Sequence, residues 1–270
     1  MTDAFLTPIP TRHGPMLALP GDQYVTRSLE LYGEYCPEEW AALALLAKPG
    51  MTIVEVGANI GAHSIALARA CAPGPIYLFE PQQRIFQILC ANLALNGVTN
   101  AFAYPDACGE ADGVALVPPI DYAASGNFGG VSVKAAEAGD VGIATRLRTI
   151  DGLELAHCHL IKADVEGLEE QVLRGAERTI RRCRPALYVE NDRVGRQQAL
   201  IDLITEYGYD LYWHAPRLFS QSNFNAIAEN AFGTVGSLNM FCTPSELGTN
   251  VRGLERIDPG NWKSPVKLVR

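Results

Sequence analysis

A lysine between two acids at alternate positions, Lys162, Asp164 and Glu166 within IKADVEG, is the part of this sequence best equipped for proton chemistry. Alternate residues of an extended chain share a side, so these three point together while Ile161, Ala163 and Val165 face the other way. A carboxylate of the acid pair can take the proton of a hydroxyl or orient it, with Lys162 holding one acid or stabilising a developing alkoxide. A salt-bridge cluster that merely closes the strand is the competing reading. With Glu190 or Asn191 from the next strand end, the acids also suit a hard divalent cation such as magnesium or calcium, although no metal is predicted. His63 and His214 are alternative bases or substrate contacts, one opening a helix and the other beside a late strand. Phe128, Trp213 and Phe224 either line an acceptor pocket or plug the core.

A second group surrounds EVGANIG, residues 55–61, which follows an apolar strand and runs straight into an apolar helix. Glycines let backbone approach a ligand, and a helix start presents free N–H groups. Dinucleotide binding, S-adenosylmethionine binding and a plain strand-to-helix turn compete here. The dinucleotide fingerprint GxGxxG lacks its middle glycine, since only Gly57 and Gly61 are present with Asn59 between them. Glu55, two residues ahead of Gly57, suits a cofactor with an amino and a sulfonium group better than one with a pyrophosphate. Glu80 ends the next strand, where a carboxylate can accept both ribose hydroxyls, with a surface acid before Pro81 as the plain alternative. Asp106, with Ala107 beside it, follows the third strand and either accepts from an adenine amino group or is an ordinary turn aspartate.

These residues need a scaffold that brings strand ends together, and the alternation of apolar runs supplies one. Thr52 to Val56, Ile76 to Phe79, Ala101 to Tyr104, Leu160 to Ala163 and Ala186 to Val189 read as strands. Ala62 to Ala70, Gln82 to Leu95, Leu168 to Arg182 and Arg193 to Tyr207 read as helices between them. Such alternation implies a parallel sheet with right-handed crossovers. Tyr209 to Trp213 and Leu238 to Phe241 are expected to close it as an antiparallel hairpin. Ligands of open α/β sheets lie beyond the carboxyl ends of the strands, beside Gly57, Glu80, Asp106, Asp164 and Glu190. Residues 1–49 read as an approach or capping segment, 50–245 as the catalytic domain and 246–270 as a tail. Within the domain, 118–147 is an insertion expected to form a substrate loop.

The net charge of -8 argues against nucleic acid as a partner, which usually leaves a basic footprint. Arg178, Arg181, Arg182 and Arg184 read as the solvated end of a helix rather than a binding patch. The 7 cysteines form no CxxC pair and no short metal-ligand spacing, which argues against a disulfide framework or zinc knuckle, and Cys71 and Cys90 read as small buried hydrophobes. Nothing near the N-terminus has the apolar run of a signal peptide or membrane span, so a cytoplasmic protein without membrane insertion is expected.

VEVGANIGAHS, LFEP with the helix to ANLALNG, TIDGLE, IKADVEGLEEQVLRGA and PALYVE occur in an order that resembles the FkbM family of S-adenosylmethionine-dependent methyltransferases across most of residues 50–190. The resemblance implies a Rossmann-like class I methyltransferase fold: an α/β architecture with a mostly parallel seven-stranded sheet, flanking helices and an antiparallel closing strand. It implies O-methylation of a hydroxyl on a sugar, glycan or natural product, with S-adenosyl-L-methionine as cofactor. The cofactor role carries to Glu55, Gly57, Asn59, Gly61 and Glu80; the acid-rich stretch matches Lys162, Asp164, Glu166, Gly167 and Glu169; and an insertion element matches Asn127, Gly129 and Gly130. Glu55 stands where the family often has aspartate, and the tail after Arg193 matches loosely. The partner expected is a small-molecule or glycan acceptor, a homo-oligomer being compatible with the sequence. An NAD-dependent oxidoreductase and a non-catalytic binding protein with the same fold are the rival functions.

Overall fold

In the computed structural model, which describes residues 6, 8–137 and 141–266, two helices precede the sheet, α1 (Val25–Tyr32) and α2 (Pro37–Leu46). Pro37 at the first turn and the acids behind it start α2 as proline and the helix dipole favour. Then follow β1 (Ile53–Val56), α3 (Ser64–Cys71), β2 (Ile76–Phe79), α4 (Gln83–Leu95) and β3 (Ala101–Tyr104). An excursion carries β4 (Ala107–Cys108), β5 (Gly113–Val117), β6 (Lys134–Ala135) and β7 (Ile143–Arg148). The alternation resumes with β8 (Leu160–Ala163), α5 (Glu169–Arg174), α6 (Glu177–Cys183), β9 (Ala186–Glu190) and α7 (Gln197–Glu206), and ends with β10 (Tyr209–His214), β11 (Asn239–Pro244) and β12 (Glu255–Arg256). Residues 1–5 and 7 of the expected capping segment, 138–140 of the insertion and 267–270 of the tail lie outside the described residues.

The main sheet runs β12-β10-β11-β9-β8-β1-β2-β3, parallel from β3 through β9 and antiparallel beyond. The expected α/β architecture with its antiparallel hairpin is present. Its strand count differs from seven, because Glu255 and Arg256 pair with the outer edge of β10 and make an eighth strand, fastened where Arg256 donates to Asp210 at 2.6 Å. The excursion also builds a second sheet, β4-β7-β5-β6, around the small buried side chains of Ala107, Ala115, Val117 and Val133. The single helix read from Leu168 to Arg182 is two, α5 and α6. Asp151 supplies the reason: its carboxylate accepts the N–H groups of Arg178 at 2.9 Å and Thr179 at 2.7 Å and so caps a new helix start.

Period-two alternation divides the core. Val54, Val56, Ile161 and Ala163 face one apolar layer, while Ile53 and Leu160 face the other. Glu55 and Lys162 are the next residues on that second face, and the parallel register of β1 and β8 places them side by side. An apolar layer thus turns into a charged pair at the carboxyl ends of the central strands. Met16, Leu19, Val25 and Leu29 ahead of the sheet pack against Ile60, Ile65, Ile85 and Phe128, which ties the N-terminal segment and the insertion to the same end.

Candidate active site

Strand order reverses at β1, which has β2 on one side and β8 on the other, and a cavity of about 400 Å³ opens beyond their carboxyl ends. Gly57 makes the opening. Its φ of +83° suits glycine, and a Cβ there would stand 1.8 Å from the carbonyl oxygen of Asp164. Asn59 also has a left-handed φ of 50°, which turns its N–H toward the Glu80 carboxylate. The two oxygens of Glu80 accept the N–H groups of Asn59 at 3.0 Å and Gln82 at 2.9 Å. Burial nevertheless pushes the Glu80 carboxyl up to about 7, against those two backbone donors.

Behind this shell lies a buried charge cluster. Lys162, 3% exposed at the side chain, has Nζ 3.5 Å from Glu39, 3.7 Å from Glu55 and 3.5 Å from Asp164. Burial disfavours its charge, but Asp164, Glu39 and Glu55 overcome that and raise its pKa, so Lys162 remains an ammonium group and is no base. The second oxygen of Glu55 accepts the Ser64 hydroxyl at 2.6 Å, which fastens the start of α3. Glu39 also meets His63 Nδ1 at 3.3 Å, while His63 Nε2 lies 3.1 Å from the Tyr35 carbonyl. A carbonyl only accepts, so the imidazole donates at both nitrogens, in accord with a pKa that Glu39 raises despite burial. Burial works against ionisation of Glu39 too, yet His63 and Lys162 hold it at about 2.

The outer rim comes from the ends of β8 and β9. Asp164 follows β8, and Glu166, with φ of +59°, turns back to receive Arg193. Burial and Asp164 push the Glu166 carboxyl upward despite Arg193. Glu190 ends β9 8% exposed; burial, then Asp164, raises it well above the carboxylate range. Its Oε2 has no hydrogen-bond partner. The insertion closes the opposite side: Gln82 donates to the Phe128 carbonyl at 2.9 Å, and Asn127 Oδ1 accepts the Gly130 N–H at 2.9 Å.

Glu55, Gly57, Asn59, Glu80, Asn127, Lys162, Asp164, Glu166, Glu190 and His63 all border the cavity. Gly61, Asp106, Ala107 and His214 are not among the residues that border it. A Cβ on Gly61 would meet Leu89 at 2.9 Å, so that glycine permits helix packing. Asp106 binds Arg148 at 2.8 Å, Ala107 joins the second sheet, and His214 Nδ1 lies 2.8 Å from the Tyr188 hydroxyl. Of the aromatics, Phe128 packs edge-on against Tyr122, Trp213 meets Trp262, and exposed Phe224 lies under Arg12. Cys71 is buried as expected; Cys90 is exposed, because it sits on the outer face of α4. Glu39, Tyr35 and Arg193 join the site without having been singled out in the sequence. Glu39 was legible only as a first-turn acid, yet it shares the helix spacing of Leu43 and Ala47, both buried, and that spacing marks a core-facing position.

Acids dominate the lining. Glu39, Glu55, Glu80, Asp164, Glu166, Glu190 and Asp192 stand against Lys162, Arg193 and His63. That donor set fits a ligand carrying sulfonium and ammonium charge.

The FkbM methyltransferase domain profile matches residues 55–211, more than half of the chain, and the chain belongs to that family. Its fold is the class I methyltransferase fold. The FkbM methyltransferase of Methylobacillus flagellatus KT is 19% identical with a TM-score of 0.45, over 71% of this chain and 43% of that one. This chain therefore spans less than half the length of that protein. The precorrin-6y C5,15-methyltransferase of Geobacter metallireducens GS-15 is 11% identical with a TM-score of 0.47, over 77% and 87% of the two chains. A Streptococcus mutans protein solved in complex with SAH is 9% identical with a TM-score of 0.46, over 77% and 96%. No curated protein matches the chain. Among the described residues no helix is long and apolar enough to cross a membrane.

Proposed function

We propose that this member of the FkbM methyltransferase family transfers a methyl group from S-adenosylmethionine to a hydroxyl oxygen of a sugar, glycan or natural product. The observation that supports an oxygen acceptor is the set of carboxylates at the ends of β8 and β9, bordering the same cavity as Gly57 and Glu80. A neutral hydroxyl must lose its proton to become a good nucleophile, and a carboxylate in reach can take or orient that proton.

S-adenosylmethionine supplies an electrophilic methyl group when bound. Gly57, Asn59 and Glu80 would hold it, with the outward lone pairs of Glu80 accepting ribose hydroxyls. Glu55 acts through Ser64 and Lys162, as a positioning residue for α3 and for the cluster. Lys162 fixes Asp164 and lowers the cost of negative charge beside it. Asp164 is the base or the orienting acceptor, with Glu166 as its partner across the rim. Asn127 and Glu190 border the space left for the acceptor, and His63, held between Glu39 and Tyr35, shapes its floor.

Calorimetric titration of the full chain with SAH and with NAD tests the cofactor, with binding of SAH alone as the expected outcome; tight NAD binding without SAH binding would overturn the reading. Incubation with methyl-labelled S-adenosylmethionine and a metabolite extract, followed by mass spectrometry, tests the atom methylated. Label on oxygen is expected, and label confined to nitrogen or carbon would refute O-methylation.

A further inference from the structure

The outer rim carries an imbalance that the proposed methyl transfer does not explain. Asp164, Glu166 and Glu190 come from three separate points, the exit of β8, the left-handed turn beyond it and the last residue of β9. One oxygen from each lies within 4.8 Å of the other two. Glu190 is 8% exposed, borders the cavity, and its Oε2 has no hydrogen-bond partner. A buried carboxylate oxygen left unpaired is costly, and proteins that keep one usually put a cation or a ligand against it.

Among the described residues, cations reach Asp164 and Glu166 but not Glu190. Lys162 is shared among Glu39, Glu55 and Asp164 on the inner side. Arg193 bonds Glu166 from a side chain 43% exposed, and it also lies 3.4 Å from Asp192. Among the described residues no ion pair reaches Glu190. Asn191 is not among the residues that border the cavity, and its amide nitrogen donates toward the Gln197 carbonyl and Met240.

We propose that Asp164, Glu166 and Glu190 form a binding site for a hard divalent cation, magnesium or manganese. Neighbouring ligands of an octahedral magnesium ion stand about 3.0 Å apart and opposed ones about 4.2 Å, so three oxygens now within 4.8 Å of one another draw together by up to about 2 Å as the ion binds. Three carboxylates leave the remaining coordination positions open to the cavity. If the O-methyltransferase reading holds, those positions suit an acceptor with two adjacent oxygens, such as a vicinal diol, and the cation would acidify the hydroxyl to be methylated. The cation site itself rests on the three carboxylates and not on that reading.

Manganese is the probe, because the electron paramagnetic resonance signal of the free ion disappears on binding. Titration of the full chain is expected to show one manganese site, displaced by magnesium. Glu190→Gln should weaken it at least tenfold, while Glu80→Gln, at the other side of the cavity, should leave it within twofold. Glu190→Gln is nearly isosteric, and a thermal melt alongside confirms that the variant is folded. Absence of manganese binding up to millimolar concentration, or equal binding by wild type and Glu190→Gln, would overturn the proposal. SAH titration of the same samples separates the two readings: SAH binding without manganese binding removes the cation site alone, and manganese binding without SAH binding removes the methyltransferase reading alone.

Discussion

The two sides of the cavity solve the burial of acids in opposite ways. Near β1 and β2, every carboxylate has been given partners: Glu80 takes two backbone N–H groups, Glu55 takes Ser64 and Lys162, and Glu39 takes His63 and Lys162. At the ends of β8 and β9, Glu190 keeps an oxygen without a partner, and Glu166 leans on an arginine that is itself half in solvent. A site whose polar groups satisfy one another is rigid before its ligand arrives, whereas a site that leaves them unsatisfied is completed by the ligand. The first side therefore has the character of a preformed cofactor shelf and the second that of an acceptor rim.

Removing Lys162 attacks the satisfied side and should have the largest effect. Lys162→Met strands Glu39 and Glu55 in the interior, and loss of one partner from a buried ion pair costs about 3–5 kcal/mol. Urea unfolding at pH 7.5 measures it; a loss below about 1 kcal/mol would show that the cluster is not a structural unit.

Glu80 gives the intermediate effect, read as pH dependence. Its carboxyl is pushed up to about 7 in the folded chain, above the ordinary glutamate value of 4.5. An ionised carboxylate is the better acceptor for ribose hydroxyls, so SAH affinity should fall about tenfold from pH 8 to pH 6. In Glu80→Gln the affinity should be lower and flat across that range. Stability runs the other way. The raised value favours the folded state fully below the unfolded pKa, and that contribution is lost as pH rises through 7, by up to about 3 kcal/mol. The variant places an amide N–H against a backbone N–H, so the diagnostic is the missing slope between pH 4.5 and 7, not the absolute stability. A wild-type slope retained in the variant would assign the titration to another acid.

The smallest effect belongs to His214, which bonds Tyr188 and is not among the residues bordering the cavity. His214→Gln should change methyl-transfer turnover by less than about twofold, since groups away from the reacting atoms rarely enter the barrier directly. A large loss in turnover with unchanged stability would move the acceptor site toward β10.

Much of the scaffold was legible because it rests on local periodicity. The strands at Ile76–Phe79, Ala101–Tyr104 and Leu160–Ala163 have the bounds that their apolar runs imply. The break between α5 and α6 was not, because Asp151, 27 and 28 residues away in sequence from the groups it caps, creates it. The second sheet was only partly legible, since its strands at Ala107–Cys108 and Lys134–Ala135 are too short to carry a pattern.

The acids of the cavity divide along the same line. Glu55, Glu80, Asp164 and Glu190 stand at the ends of apolar strands, and sequence alone determined that they gather at one edge of a parallel sheet, because every such strand delivers its last residue to the same side. Which of them are satisfied was decided only in three dimensions. Glu39 arrives from a helix that precedes the sheet, Arg193 from the turn before α7, and the Asn59 N–H from one left-handed residue. Charge pairing depends on contacts between chain segments far apart in sequence, and no local period records them.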